Sequence, residues 1–209
     1  MSNKYRLCVL LSLLVARSAL SQDSTATLPG PSETTTRLAV RASAVTTNEY
    51  QLPAVGTLHL VVPSDWGGTF KKTIVMGTRA DEIQFQPKNA DGFAVMVTAV
   101  HMNPESARDF NTKEVLTEAV QKELPDSVEK TADIHGLNGP EVKGHYLSLT
   151  DATMSAKDAK PGQYKYVTTG YAKLGSLVLI LRVGSNLNGD EKFQALELVR
   201  TARLTAGAP

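Results

Sequence analysis

Lys160 to Val183 reads KPGQYKYVTTGYAKLGSLVLILRV, and two runs of strand character meet inside it. Residues 163–173 are rich in Tyr, Val and Thr, and residues 176–183 are almost wholly Leu, Val and Ile; such side chains suit a pleated, buried surface. Only Leu174 and Gly175 separate the two runs, so they are expected to fold back on each other as an antiparallel hairpin. A third strand-like run, Glu141 to Leu149, precedes them. The three together predict an antiparallel meander.

Upstream, Leu58, Leu60 and Val62 share one face of an alternating run that stops at Pro63, and Ser64 to Gly68 follow as a turn. A short strand is expected from Lys72 to Met76, and Ile83 and Phe85 alternate with polar neighbours in the next. Residues 93–100 are apolar on both faces, which predicts a central strand covered on both sides. The period then lengthens. Asn111 with Glu114 three residues on has the form of a capping box, and Val115, Leu116, Ala119, Val120 and Leu124 recur at helical spacing until Pro125. Downstream of the hairpin, Asn188 is read as the cap of a last helix, with Phe193, Leu196 and Val199 on its buried face and Arg200 and Arg203 near its end. Strands, a helix, more strands and a terminal helix predict an α+β protein, an antiparallel β-sheet flanked by helices.

The composition of the 209 residues is that of an ordinary globular chain, with 42% hydrophobic residues and a formal charge of +1. That balance excludes the basic field of a nucleic-acid binder. A basic start (Lys4, Arg6), an apolar run from Leu7 to Ala16, and small residues at Ala19 and Ser21 read as a signal peptide over residues 1–21. The run is too short for the roughly 20 residues that span a bilayer. The single cysteine, Cys8, falls inside it, so the mature chain is expected to fold without disulfides or thiolate chemistry. No Asn-x-Ser/Thr sequon occurs, and a bacterial periplasmic or secreted location fits best. Residues 22–47, rich in Thr, Ser, Ala and Pro, read as a flexible linker. The alternation of Leu38 and Val40 leaves an edge strand over 37–45 as the alternative. The globular domain is placed at 48–204, with residues 205–209 as a tail.

Four segments, GTLHLVVPSDW (Gly56–Trp66), GPEVKGHYLSLTD (Gly139–Asp151), the Lys160–Val183 run and FQALELVRTAR (Phe193–Arg203), resemble a group of uncharacterised secreted bacterial proteins. Those proteins resemble in turn the PsbP-like fold class, an α/β/α sandwich shared by the extrinsic PsbP subunit of photosystem II and a Ran-binding nuclear import factor. The resemblance covers about residues 48–204. It implies a scaffold used mainly for protein binding and assembly, and it brings no catalytic residue to carry over.

The residues themselves point away from catalysis. Ser64 and Asp65 follow a proline in a turn and lack the Gly-x-Ser-x-Gly elbow of a hydrolase. His59, His101, His135 and His145 are scattered without metal-ligand spacing, and His145, on the face of Leu147 and Leu149, reads as a core or rim histidine. Asn186, Asn188, Asp190 and Glu191 lack the ordered spacing of a calcium loop. No glycine-rich phosphate cradle is present. The candidate partner-binding residues are Trp66, Tyr146, Tyr164, Tyr166 and Tyr171, either as an aromatic surface or as cross-strand packing under a helix. The expectation is a non-enzymatic secreted or periplasmic accessory protein that binds an envelope protein, without cofactor or metal and with no membrane span after signal cleavage. The alternative is a carrier of a small apolar ligand held between sheet and helix, signalled by Leu177, Leu179 and Leu181.

Overall fold

The computed structural model describes residues 44–75, 77–88, 91–187 and 191–206. The expected signal peptide, most of the linker, residues 37–43 of the alternative edge strand and the Asn188 cap lie outside the described residues. The chain runs β1 (Val45–Leu52), β2 (Gly56–Pro63), β3 (Trp66–Val75), β4 (Thr78–Pro87), β5 (Phe93–His101), α1 (Pro104–Asp109), α2 (Thr112–Val120), β6 (His135–Gly136), β7 (Lys143–Thr150), β8 (Tyr166–Leu174), β9 (Leu177–Ser185), α3 (Lys192–Arg200) and β10 (Arg203–Ala206). The strands form a seven-stranded sheet in the order β3-β4-β5-β9-β8-β7-β6 and a three-stranded sheet in the order β1-β2-β10, antiparallel throughout.

This corrects the expected α+β sandwich. Among the described residues the protein is mostly antiparallel β, with ten strands in two sheets and only three short helices, and is 17% helical. The helices, six, nine and nine residues long, are too short to make layers. The side chains that needed covering are instead roofed largely by a second sheet. On one face of the large sheet Phe85, Phe93, Val95, Val97, Leu179, Leu181 and Val183 pack with Leu58, Leu60 and Val62 of β2 and with Ala195, Leu196, Leu198 and Val199 of α3. On the other face Leu147, Leu149, Tyr171 and Val178 pack under Leu116 and Val120 of α2.

Local chemistry explains most boundaries. Ser64 and Asp65 turn the chain from the small sheet into the large one, pinned where Ser64 N–H donates to the Ala44 carbonyl at 2.8 Å and Lys88 N–H to that of Asp65 at 3.0 Å. Gly67 and Gly68, read from sequence as part of that turn, are already strand, so β3 is ten residues long. Gly175 supplies the hairpin turn between β8 and β9 with φ +59°, where a side chain would be strained. Asn111 Oδ1 accepts from the N–H groups of Lys113 and Glu114, both at 3.2 Å, which caps α2 as expected. The helix ends at Val120, and the expected continuation to Leu124 becomes a separate 3₁₀ turn, Leu124–Asp126.

Three boundaries differ from the sequence reading. β1 begins at Val45, in register with Pro63, so the domain starts before Asn48. Thr205 and Ala206, placed in a tail, belong to β10, which pairs with the free edge of β2. Phe193, placed on the buried face of α3, is 53% exposed with Lys192 Nζ 5.4 Å from its ring centroid; the buried stripe is Ala195, Leu196, Leu198 and Val199.

One polar group is carried into the core. Asp81 on β4 is fully buried; its Oδ2 lies 2.6 Å from Nε2 of His101 on β5, and its Oδ1 has no partner among the described residues. A buried carboxylate with a single tether makes that tether costly to remove.

Replacing Leu196 by Ala should cost about 2–5 kcal/mol in urea unfolding, whereas Phe193→Ala should cost under about 1 kcal/mol. His101→Ala, which leaves Asp81 buried and unpaired, should cost about 3–5 kcal/mol. A chain truncated to begin at Asn48 should melt below one that begins at Ala44, because it loses the first rungs of β1.

Candidate functional site

The five aromatic residues singled out from sequence do not converge. Trp66, the first residue of β3, is buried with its ring 5.4 Å from that of Phe93 and 6.4 Å from that of Phe85; it plugs the end of the core. Tyr171 is buried on the opposite face of the large sheet, 6.4 Å from the Phe110 ring. Tyr146 and Tyr166 are half-buried on the same side of the sheet as Val183 and Leu181, and Tyr146 lies 5.3 Å from the exposed ring of His135.

Tyr164 and Tyr166, expected to share a strand face, do not. The chain turns over Lys160–Gln163, where Gln163 N–H donates to the Lys160 carbonyl at 2.9 Å, and β8 starts only at Tyr166. Tyr164 therefore crosses to the other side of the sheet and lies against Gly184, where any added Cβ would meet its ring carbons at 2.3–2.4 Å. Gly184 is there to admit the tyrosine. Burial pushes the phenols of Tyr50, Tyr164 and Tyr171 above the usual tyrosine range, since a phenolate inside the protein is poorly solvated.

The four histidines meet four separate sets of partners. His59 faces Glu49 and Thr205. His101 faces Asp81, His135 lies 3.2 Å from Asp133, and His145 Nδ1 is 2.8 Å from Thr112 Oγ1. His145 is half-buried, as its place beside Leu147 implied. Among the described residues no three His, Cys, Asp or Glu side chains come together as a metal site.

The most distinctive exposed feature is one that the sequence reading passed over. β3 ends the large sheet: it pairs along ten residues with β4 and, among the described residues, has no strand on its other side. Phe70 and Ile74 project from it on the core side of the sheet and remain 41% and 73% exposed. The Phe70 ring is 5.6 Å from Tyr50 of β1, so it stands on a rigid base. Lys71, on the other face, pairs with Glu82 at 2.8 Å. Lys72 is exposed and has no carboxylate within ion-pair distance among the described residues. Only the second half of this strand was legible as such, because Gly67 and Gly68 read as a turn. The run Thr69 to Val75 still carries the signal, with Phe70 and Ile74 two alternations apart.

No described helix is long and apolar enough to cross a membrane. A spectrophotometric titration of the folded protein should find part of its tyrosine absorbance change well above pH 10. Because the raised phenols disfavour ionisation only in the fold, their stabilising contribution is present at neutral pH and is lost as pH rises through the folded values, so the Tyr171 fraction should appear together with alkaline unfolding. The chain matches no protein-family model and no curated protein sequence.

Proposed function

We propose that this is a non-enzymatic secreted or periplasmic accessory protein that works by protein–protein contact, and that the open edge of β3 is where the partner docks. The partner would contribute an extended segment that adds to the edge as an eighth strand, with main-chain hydrogen bonds for affinity and side-chain contacts for choice. The observation that carries this reading is the ten-residue edge bearing Phe70 and Ile74 in the open. Long exposed edges attract other chains, and natural proteins guard them with charge. Lys71 and Lys72 have that guarding role here, and they also select: a second copy of the strand would bring lysines against lysines, whereas an acidic segment would be drawn to Lys72. The resemblance to PsbP-like proteins, as a class used mainly for binding, supports a binding role, although the helical layers it implied are absent.

The carrier alternative has lost its support. Leu177, Leu179 and Leu181, whose surplus of aliphatic surface suggested a ligand, are fully buried against the small sheet and α3. They form the core itself.

Crosslinking the full chain in envelope extract, beside a Phe70→Ser/Ile74→Ser variant and a Lys72→Glu variant, tests the reading. A partner band retained by the parent should fall about tenfold in each variant, the weight of one anchor residue at a contact, while circular dichroism stays unchanged. The same band at full strength in both variants would refute the edge as the docking site.

A further inference from the structure

The outward face of the small sheet is organised by strand register into polar rows. Glu49 of β1 stands opposite His59 of β2, which stands opposite Arg203 of β10. Gln51, Thr57 and Thr205 form the next row, with Thr57 Oγ1 donating to Gln51 Oε1 at 3.1 Å. The imidazole of His59 has Nε2 at hydrogen-bond distance from Thr205 Oγ1, 2.8 Å, and Nδ1 3.5 Å from the exposed Glu49 Oε1. Beside this row opens a groove of about 530 Å³ lined by His59, Arg203 and Thr205 and, on its apolar side, by Val61, Pro140 and Ala202. Its Pro140 wall is fixed: Gly139 N–H donates to the Val142 carbonyl at 2.9 Å, and Gly139 lies so close to the Arg200 backbone that no side chain fits between them. Arg203 has no carboxylate within ion-pair distance among the described residues.

We infer that this groove binds the oxyanion of a small molecule, a carboxylate or a phosphate group, and that protonation of His59 switches the binding on. The argument is an inventory of protons. The Glu49 carboxylate beside Nδ1 favours the tautomer that carries the proton there. While the ring is neutral, Nε2 can only accept, so the Thr205 hydroxyl donates to it and shows the groove lone pairs. Once the ring is protonated, Nε2–H donates to Thr205 Oγ1, and the hydroxyl proton of Thr205 is released toward the groove. One proton taken up by His59 thus adds a positive charge and turns an acceptor into a donor beside Arg203, the combination an oxyanion needs. The apolar side of the groove accommodates a short hydrocarbon stub.

The charged groups on the surrounding elements are Glu49 on β1, Arg203 on β10, Glu141 in the loop before β7, whose Oε2 accepts from Leu204 N–H at 3.4 Å, and the Glu197–Arg200 pair at the end of α3, 3.7 Å apart. Histidine is the only one of these residue types that ordinarily changes charge between about pH 5 and 8.

The test is an NMR titration of the full chain with butyrate and, separately, with inorganic phosphate. Butyrate keeps a single charge between pH 5.5 and pH 8, so it reads the switch. Its affinity should be about tenfold higher at pH 5.5, the order expected for one added charge at a partly exposed site, with shifts centred on His59, Thr205 and Arg203. Phosphate at pH 5.5 separates the two sources of oxyanion: tighter binding than butyrate assigns a phosphate ligand, weaker binding a carboxylate. His59→Gln should bind butyrate with no difference between the two pH values, and Arg203→Met should lose at least about tenfold at both; dispersed amide spectra would show each variant folded. No saturable shift with either anion, an unchanged pH response in His59→Gln, or unchanged affinity in Arg203→Met would each overturn the inference.

Discussion

Strands β5 and β9 lie side by side near the middle of the large sheet and send apolar side chains to both of its faces. Each face has to be roofed before those side chains can leave water, and at about 25 cal/mol per Å² of buried apolar surface this requirement outweighs local preferences. On one side α2 covers chiefly β7 and β8, and Met96, Val100 and Ile180 stay half-buried. On the other, nine residues of α3 cannot cover a surface that includes Phe85, Phe93, Val95, Val97, Leu179 and Leu181. A second sheet completes the cover, and the chain ends by contributing β10 to it. The isolation of Asp81 follows from the same burial: β4 lies between the covered centre and the open edge, and its carboxylate is sealed in with one histidine for company.

Roofing also determines what stays exposed. The small sheet covers the middle of the large one and meets β3 where Tyr50 lies against Phe70, and Phe70 and Ile74 stay exposed beside that contact. Its own outer face is left to polar residues, where Glu49, His59 and Arg203 align across three strands. Both surfaces proposed for binding are thus by-products of how two sheets of unequal width pack, one an unpaired backbone edge and the other a row of side chains.

Much of the large sheet was legible in the sequence because its signals are local. The Gly175 turn, the doubly apolar run from Phe93 and the Asn111 cap each declare themselves within a few residues. What could not be read depends on distant partners. β10 is four residues of unremarkable alternation that become a strand only because β2 has a free edge. The first residues of β1 resemble the Thr-rich linker before them, and only Pro63 and the Ser64 turn draw them into register. Phe193 was assigned inward on hydrophobicity, although the rotation of α3 is set by Leu196 and Val199. The aromatic candidates do not form one surface, because composition does not reveal which face of a sheet a side chain takes: Tyr164 and Tyr166 part company at a turn, and Tyr171 is core.

Amide hydrogen exchange resolved residue by residue tests the central claim that the β5–β9 pair at the middle of the large sheet anchors the protein and leaves β3 open. The account predicts the slowest exchange in β5 and β9, and in β3 an alternation in which amides directed at β4 are protected and those directed outward exchange rapidly. Uniform protection along β3, or a slow-exchanging core centred on the helices, would contradict it.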